Sequence, residues 1–330
     1  MRLKSCLSKI ILLLFFSAQF ACTEIDPNEL GALVPKTVEQ DATVPSISVN
    51  STTLHAETFG NPNNSMVVFL HGGPGADYRN GLNVKQLANN GYFVVFYDQR
   101  GSGLSKRHNK NSYSIQLLLD DLNAVIEHYK TSSNQKVFLL GHSWGGILAS
   151  AFINKYPTKI TGTILAEAGG LTWDDTKEYI EKSKKLELFS EATNDALYLD
   201  QFFTGTENQH EILDYKVAVQ SQFSYSNGNV EGIEGPSPFW RYGSVTFNSL
   251  VNIAENDGYD FTTNLNQYQK KVLVIYSQNN RAYGLSIAQK VANYYPIHQI
   301  EKIDGTGHEM IYFKWNTVYP KVLAYLNSLN

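Results

Sequence analysis

The chain reads as an α/β protein built on a mostly parallel, doubly wound sheet that is interrupted by an inserted, mainly helical cap. Two observations predict this. Short apolar runs ending in Gly or polar residues (Met66 to Leu70, Tyr92 to Asp98, Lys136 to Leu140, Thr161 to Ala166) alternate with helical stretches. The alternation lapses between about Leu171 and Thr262, a stretch rich in Tyr, Phe, Asn and Glu, and resumes with Val272 to Tyr276.

The clearest helix is Ser114 to Tyr129, where Ile115, Leu118, Leu119, Leu122, Val125, Ile126 and Tyr129 recur at i, i+3, i+4 spacing. Ser46 to Phe59 alternates enough to open the sheet as a hairpin. After the lapse come a helix near Ser286 to Tyr295, a strand near His298 to Ile303 and a closing helix. The core is therefore expected over 46–170 and 263–330, with the cap at 171–262. A length of 330 residues with 42% hydrophobic content suffices for one large buried core plus such an insertion, which disfavours a disordered or fibrous chain.

The N-terminus has the pattern of an export signal. Arg2, Lys4 and Lys9 supply the positive start, and Ile10 to Phe16 form an apolar run too short to span a bilayer. Cys22 follows Ala21 as in a bacterial lipoprotein signal, so 1–21 is expected to be removed and Cys22 to be lipidated, the alternative being an ordinary cleaved secretory peptide and a periplasmic or secreted protein. Residues 22–45, with Pro27, Pro35 and Pro45 and no hydrophobic period, are expected to be a tether. The expected location is the cell envelope, with the lipid as the only membrane contact. Cys6 and Cys22 are the only cysteines, so the folded domain has no internal disulfide and no thiol chemistry. The formal charge of −4 becomes more negative once the leader is gone, which disfavours a nucleic-acid partner.

Three motifs carry the chemistry. Gly141-His142-Ser143-Trp144-Gly145 matches G-x-S-x-G and lies between an apolar strand and a helix, where a strained turn lifts Ser143 above the sheet as a nucleophile. His71-Gly72-Gly73-Pro74-Gly75 follows the strand ending at Leu70. From there the backbone N–H of Gly73, with that of Trp144, would hold the oxyanion of an attacked carbonyl. His308, after the last strand in Gly305-Thr306-Gly307-His308, stands where the base belongs. The loop Asp98 to Ser105 is expected to be a hydrogen-bonded support, His142 to line the elbow and His128 to sit on a helix surface. No His, Cys, Asp or Glu cluster has metal spacing, and no cofactor is expected.

Together, H-G-G-P-G, D-Q-R-G-S-G and G-x-S-W-G-G, in this order and spacing, resemble the proline iminopeptidase family of α/β-hydrolases. The similarity covers about Met66 to Ala166 and Val272 to the end. The resemblance implies the α/β-hydrolase fold and release of an N-terminal residue, often proline, from a short peptide, or hydrolysis of a related amide or ester.

One departure stands out. The family resembled takes its triad acid from a G-x-x-D loop after the strand that follows the cap, and here that loop is Ser277-Gln278-Asn279-Asn280. Either the protein is catalytically feeble or the acid has moved. Glu167, at the end of the strand after the elbow, stands where some haloalkane dehalogenases of similar fold carry theirs, and its longer side chain suits an approach to His308. A carboxylesterase or lipase with the same triad is an alternative, and, without such an acid, so is a hydrolase-fold protein that binds a ligand without turnover. An aminopeptidase also needs a carboxylate for the substrate's ammonium. Glu231 and Glu234 are the candidates, with Asp174 and Asp175, while Phe239, Trp240 and Tyr242 are expected to be cap core.

Overall fold

The computed structural model describes residues 34–184, 210–221, 229–236 and 238–330. Eight strands form one sheet: β1 (Ser46–Val49), β2 (Thr52–Phe59), β3 (Ser65–Leu70), β4 (Tyr92–Tyr97), β5 (Val137–His142), β6 (Gly162–Ala166), β7 (Val272–Ser277) and β8 (His298–Ile303). Their order is β1-β2-β4-β3-β5-β6-β7-β8. β1 and β2 enter as an antiparallel hairpin, β2 pairs antiparallel with β4, and every later pairing is parallel. The chain is an α/β-hydrolase fold, as expected.

The period of two along the strands decides what each face buries. Val68, Leu70, Leu139 and Leu165 point into a core shared with α1 (Ile115–Tyr129), α2 (Trp144–Lys155) and α6 (Gly284–Asn293). Val67, Phe69, Phe138, Leu140 and Ile164 point the other way, against Tyr78–Asn90 and α7 (Trp315–Leu329). Both faces are covered, which explains the unbroken apolar runs. α2 is buried almost all round, from Trp144 through Ile153, so the helix behind the elbow is a central element of the core.

Between β6 and β7 the described helices are α3 (Trp173–Lys184), α4 (His210–Ser221) and α5 (Ser244–Asp257). The expected tether needs correcting at its far end. From Val34 the chain is docked: Val34 and Thr37 are 2% exposed, and Val38 N–H donates to the Leu104 carbonyl at 2.9 Å. The reason is the fully buried Arg241, whose Nη1 donates to the Pro35 carbonyl (2.9 Å) and to Gln40 Oε1 (3.1 Å). The rest of the leader and tether, Cys22 included, lies outside the described residues.

The cap is tied to the loop over the site. Asp77 Oδ2 accepts the backbone N–H of Trp240 (2.6 Å) and of Arg241 (3.0 Å), and Gly243 N–H donates to the Gly75 carbonyl at 2.6 Å. Gly243 is required by close approach, since a Cβ there would lie 2.1 Å from the Gly101 carbonyl oxygen, a backbone atom that cannot rotate away. Gly243→Ala should therefore cost roughly 1–3 kcal/mol, read as a lower urea midpoint. A midpoint equal to that of the parent would show that the cap does not press on the Asp98–Ser105 loop.

Candidate active site

Ser143 sits at φ 53° and ψ −123° between β5 and α2, a conformation that side-chain-bearing residues avoid. Its N–H donates to the Ala166 carbonyl on the neighbouring strand at 2.9 Å, and its own carbonyl accepts from Gly146 N–H at 2.9 Å. The glycine at 145 is needed for closeness: a Cβ there would lie 2.0 Å from the Leu70 carbonyl oxygen. The elbow is thus wedged against the strand that leads into the His71–Gly75 loop.

Glu167 and His308 are joined directly, with His308 Nδ1 2.7 Å from Glu167 Oε2. Glu167 is fully buried and accepts three more hydrogen bonds. Ser277 N–H and Oγ donate to Oε1 at 2.7 and 2.5 Å, and Asn280 Nδ2 donates to Oε2 at 2.8 Å. Burial would raise the Glu167 pKa, but the bonds from His308 and Ser277 outweigh it and hold the carboxyl below its ordinary value. For His308 burial works downward, yet the bond to Glu167 and the charges of Glu231, Glu167 and Glu309 lift its pKa to about 9. With Nδ1 engaged, Nε2 is the nitrogen available to a nucleophile.

Asn280 is turned away from any acid role. Its Oδ1 accepts from the N–H groups of Ala282 (3.2 Å) and Tyr283 (3.1 Å), which fixes the amide so that its nitrogen faces Glu167. It supports the carboxylate rather than the imidazole.

Three supports escaped the sequence reading. Gln99, in the Asp98–Ser105 loop, receives Trp144 Nε1 on its Oε1 (2.9 Å), gives its Nε2 to the His71 carbonyl (3.0 Å) and gives its backbone N–H to His71 Nε2 (2.9 Å). One side chain thereby fixes the elbow to the His71–Gly75 loop. The sequence signal was its position inside the D-Q-R-G-S-G motif. The rest of that loop is structural as expected: Arg100 forks onto Asp121 with two bonds of 2.8 Å, and Asp98 takes His55 Nδ1 at 2.7 Å. His142, expected only to line the elbow, bonds the His308 carbonyl through Nε2 (2.8 Å) and Asn80 through Nδ1 (2.9 Å). Burial lowers its pKa, so it stays neutral and fixes the backbone of the base. Tyr179 on α3 donates its hydroxyl to Glu231 Oε1.

Of the four acidic cap candidates, Glu231 is the one brought to the base. Its carbonyl accepts His308 N–H at 2.9 Å and its carboxylate adds to the field on the imidazole. Glu234 is exposed and bonds Thr306 Oγ1 at 3.2 Å. Asp174 pairs with Lys177 on the surface, and Asp175 is held by Lys290 and Tyr294. Trp240, expected in the cap core, packs instead on His55 and Tyr78 of the hydrolase core, while Phe239 packs on Tyr242 within the cap.

Ser143, Trp144, Gly73 and Tyr179 line a cavity of about 490 Å³ beneath α3 and α5. The N-terminus of α2, at Trp144, borders this cavity together with Gly73, a setting suited to developing negative charge. Among the described residues no three His, Cys, Asp or Glu side chains converge as metal ligands.

Residues 61–220 match the family described as serine aminopeptidase, S33. The chain is 39% identical over 103 residues, 31% of its length, to the proline iminopeptidase of Thermoplasma volcanium, of which that stretch is 34%. It is 31% identical over 121 residues to epoxide hydrolase B of Mycobacterium tuberculosis, covering 36% of this chain and 33% of the other. The chain thus spans about a third of the length of these curated relatives. The crystal structure of a Mycobacterium smegmatis proline iminopeptidase superposes with a TM-score of 0.58 at 17% identity, over 86% of this chain and 97% of that one.

Proposed function

We propose that this chain, a proline iminopeptidase-like α/β-hydrolase, is a serine aminopeptidase releasing an N-terminal residue from short peptides. The observation that carries the reading is the buried Glu167–His308 bond beside the Ser143 elbow. It supplies the ionised partner that Asn280 could not.

In this reading Ser143 Oγ attacks the scissile carbonyl while its proton passes to His308 Nε2. The C–O bond forms, and the oxyanion is held by the N–H groups of Gly73 and Trp144. The C–N bond then breaks as His308 returns the proton to the leaving amine. Water, deprotonated by the same nitrogen, splits the acyl-enzyme and restores Ser143. Glu167 balances the imidazolium in both halves, and Glu231 receives the ammonium of the substrate's first residue. Esters of the same acyl group would follow the same steps. We also propose that Cys22 anchors the exported protein in the envelope membrane through lipid, an intact mass lacking acyl chains being the result that would refute this.

Ser143→Ala should abolish turnover of aminoacyl-arylamides with an unchanged thermal midpoint. Glu167→Gln should lower kcat by orders of magnitude, on the scale of about 10⁴-fold seen when a triad carboxylate becomes an amide. Asn280→Ala should cost far less. Equal losses in the last two would transfer the acid's role away from Glu167. If short acyl esters turn over and arylamides do not, the protein is an esterase.

The pH dependence has a definite sign. The base works only when deprotonated and its pKa is raised, so kcat/KM should climb with pH toward about 9. A substrate ammonium on Glu231 cancels part of the field that protonates His308. The kcat limb for aminoacyl substrates should therefore lie at lower pH than the kcat/KM limb, with no such gap for an uncharged ester. Coincident limbs for both substrate types would remove Glu231 from the site.

A further inference from the structure

The cavity over Ser143 has two apolar walls that the structure leaves partly uncovered. On α5 the residues Phe247, Leu250, Val251 and Ala254 follow i, i+3, i+4, i+7 spacing, the stripe that a cap helix would ordinarily bury in a core. Here that stripe faces the cavity, and Phe247 and Val251 are only half-buried. Across from it, α3 presents Trp173 and Ile180, also half-buried. The charged lining residues Lys177, Glu181 and Glu255 are all exposed, which places them at the mouth. Ile147 and Trp144 close the floor behind the nucleophile.

The two sides of a bound substrate can be assigned. The leaving amine must meet His308 to receive its proton, whereas the acyl side needs only Ser143. Ser143 lines this cavity, and His308 stands at its edge behind Tyr179, the two ring centroids 6.4 Å apart, so the leaving amine is assigned to the His308 edge and the group within the cavity to the acyl residue. Tyr179 joins the cavity to Glu231, so one α-carbon can send its ammonium to Glu231 and its side chain between α3 and α5.

We propose that the residue released is a bulky apolar one, of leucine or phenylalanine size, whose side chain is held between α3 and α5. This rests on the aminopeptidase reading for the ammonium, but the slot acts equally on an acyl ester. A proline side chain, three methylenes closed on the backbone nitrogen, leaves most of a cavity of about 490 Å³ to water. An isobutyl or benzyl group reaches both walls and covers the apolar surface they expose.

The test is kcat/KM for alanyl, prolyl, leucyl and phenylalanyl arylamides, beside acetyl, 4-methylpentanoyl and 3-phenylpropanoyl esters, on the parent, Val251→Trp and Phe247→Ala. Leucyl and phenylalanyl substrates should exceed alanyl and prolyl by about tenfold or more. Val251→Trp should cut the leucyl-to-alanyl ratio at least about tenfold, whatever the absolute rates, and Phe247→Ala should move the preference toward the larger group. A prolyl optimum, or ratios unchanged in both variants, overturns the proposal. Ester turnover with the same size preference and no arylamide turnover would retire the aminopeptidase reading and leave the slot standing.

Discussion

A carboxylate buried completely at the end of β6 is the constraint around which the site is arranged. Taking a charge out of water costs several kcal/mol unless donors replace the lost solvent, and Glu167 has four of them, from Ser277, Asn280 and His308. None is adjacent in sequence. Ser277 arrives because β7 pairs with β6 in parallel register, Asn280 because the loop leaving β7 turns back, and His308 because the loop after β8 crosses the strand ends. The backbone of Glu167 itself is held at φ 50°, a left-handed conformation that a residue with a side chain adopts only under surrounding constraint. The sheet order and the charge therefore require each other.

A second layer fixes what the carboxylate cannot reach. Neutral, buried imidazoles do much of this work. His71 donates Nδ1–H to the Gly72 carbonyl and accepts from Gln99, and His142 spans from Asn80 to the carbonyl of His308. In each ring one nitrogen donates and the other accepts, so burial that keeps the ring neutral also fixes its tautomer. The same loop then ends in Asp77, which accepts two N–H groups from the cap. The parts that would hold an oxyanion and the parts that would hold a substrate thus form one hydrogen-bonded unit.

The sequence showed the fold class through the spacing of apolar runs, and Ser143 and His308 through their places in local motifs, since these depend on near neighbours in the chain. Glu167 was legible for another reason: an expected Asp was missing at 280 and an unexplained acid stood at a strand end. The supports were much less legible. Gln99 lay in a motif without any sign that it would reach Trp144, and Tyr179 lay in a helix with weak period. Their roles depend on contacts between segments far apart in sequence, which no local pattern encodes. The docked stretch from Val34 was misread because proline and a missing period suggest a tether, while its acceptors serve an arginine two hundred residues away.

Asn280 is then better understood as a consequence of Glu167 than as a loss. Its nitrogen approaches Glu167 Oε2 to 2.8 Å, and backbone donors hold its oxygen side in place. An aspartate in that position would set two carboxylates against each other in a buried site, where like charges so close cannot both ionise. One would keep a proton, and the group bonded to His308 would lose the full charge that stabilises the imidazolium. The amide removes that competition and contributes a donor. Once the acid stands on β6, the neutral side chain at 280 is what allows it to remain ionised.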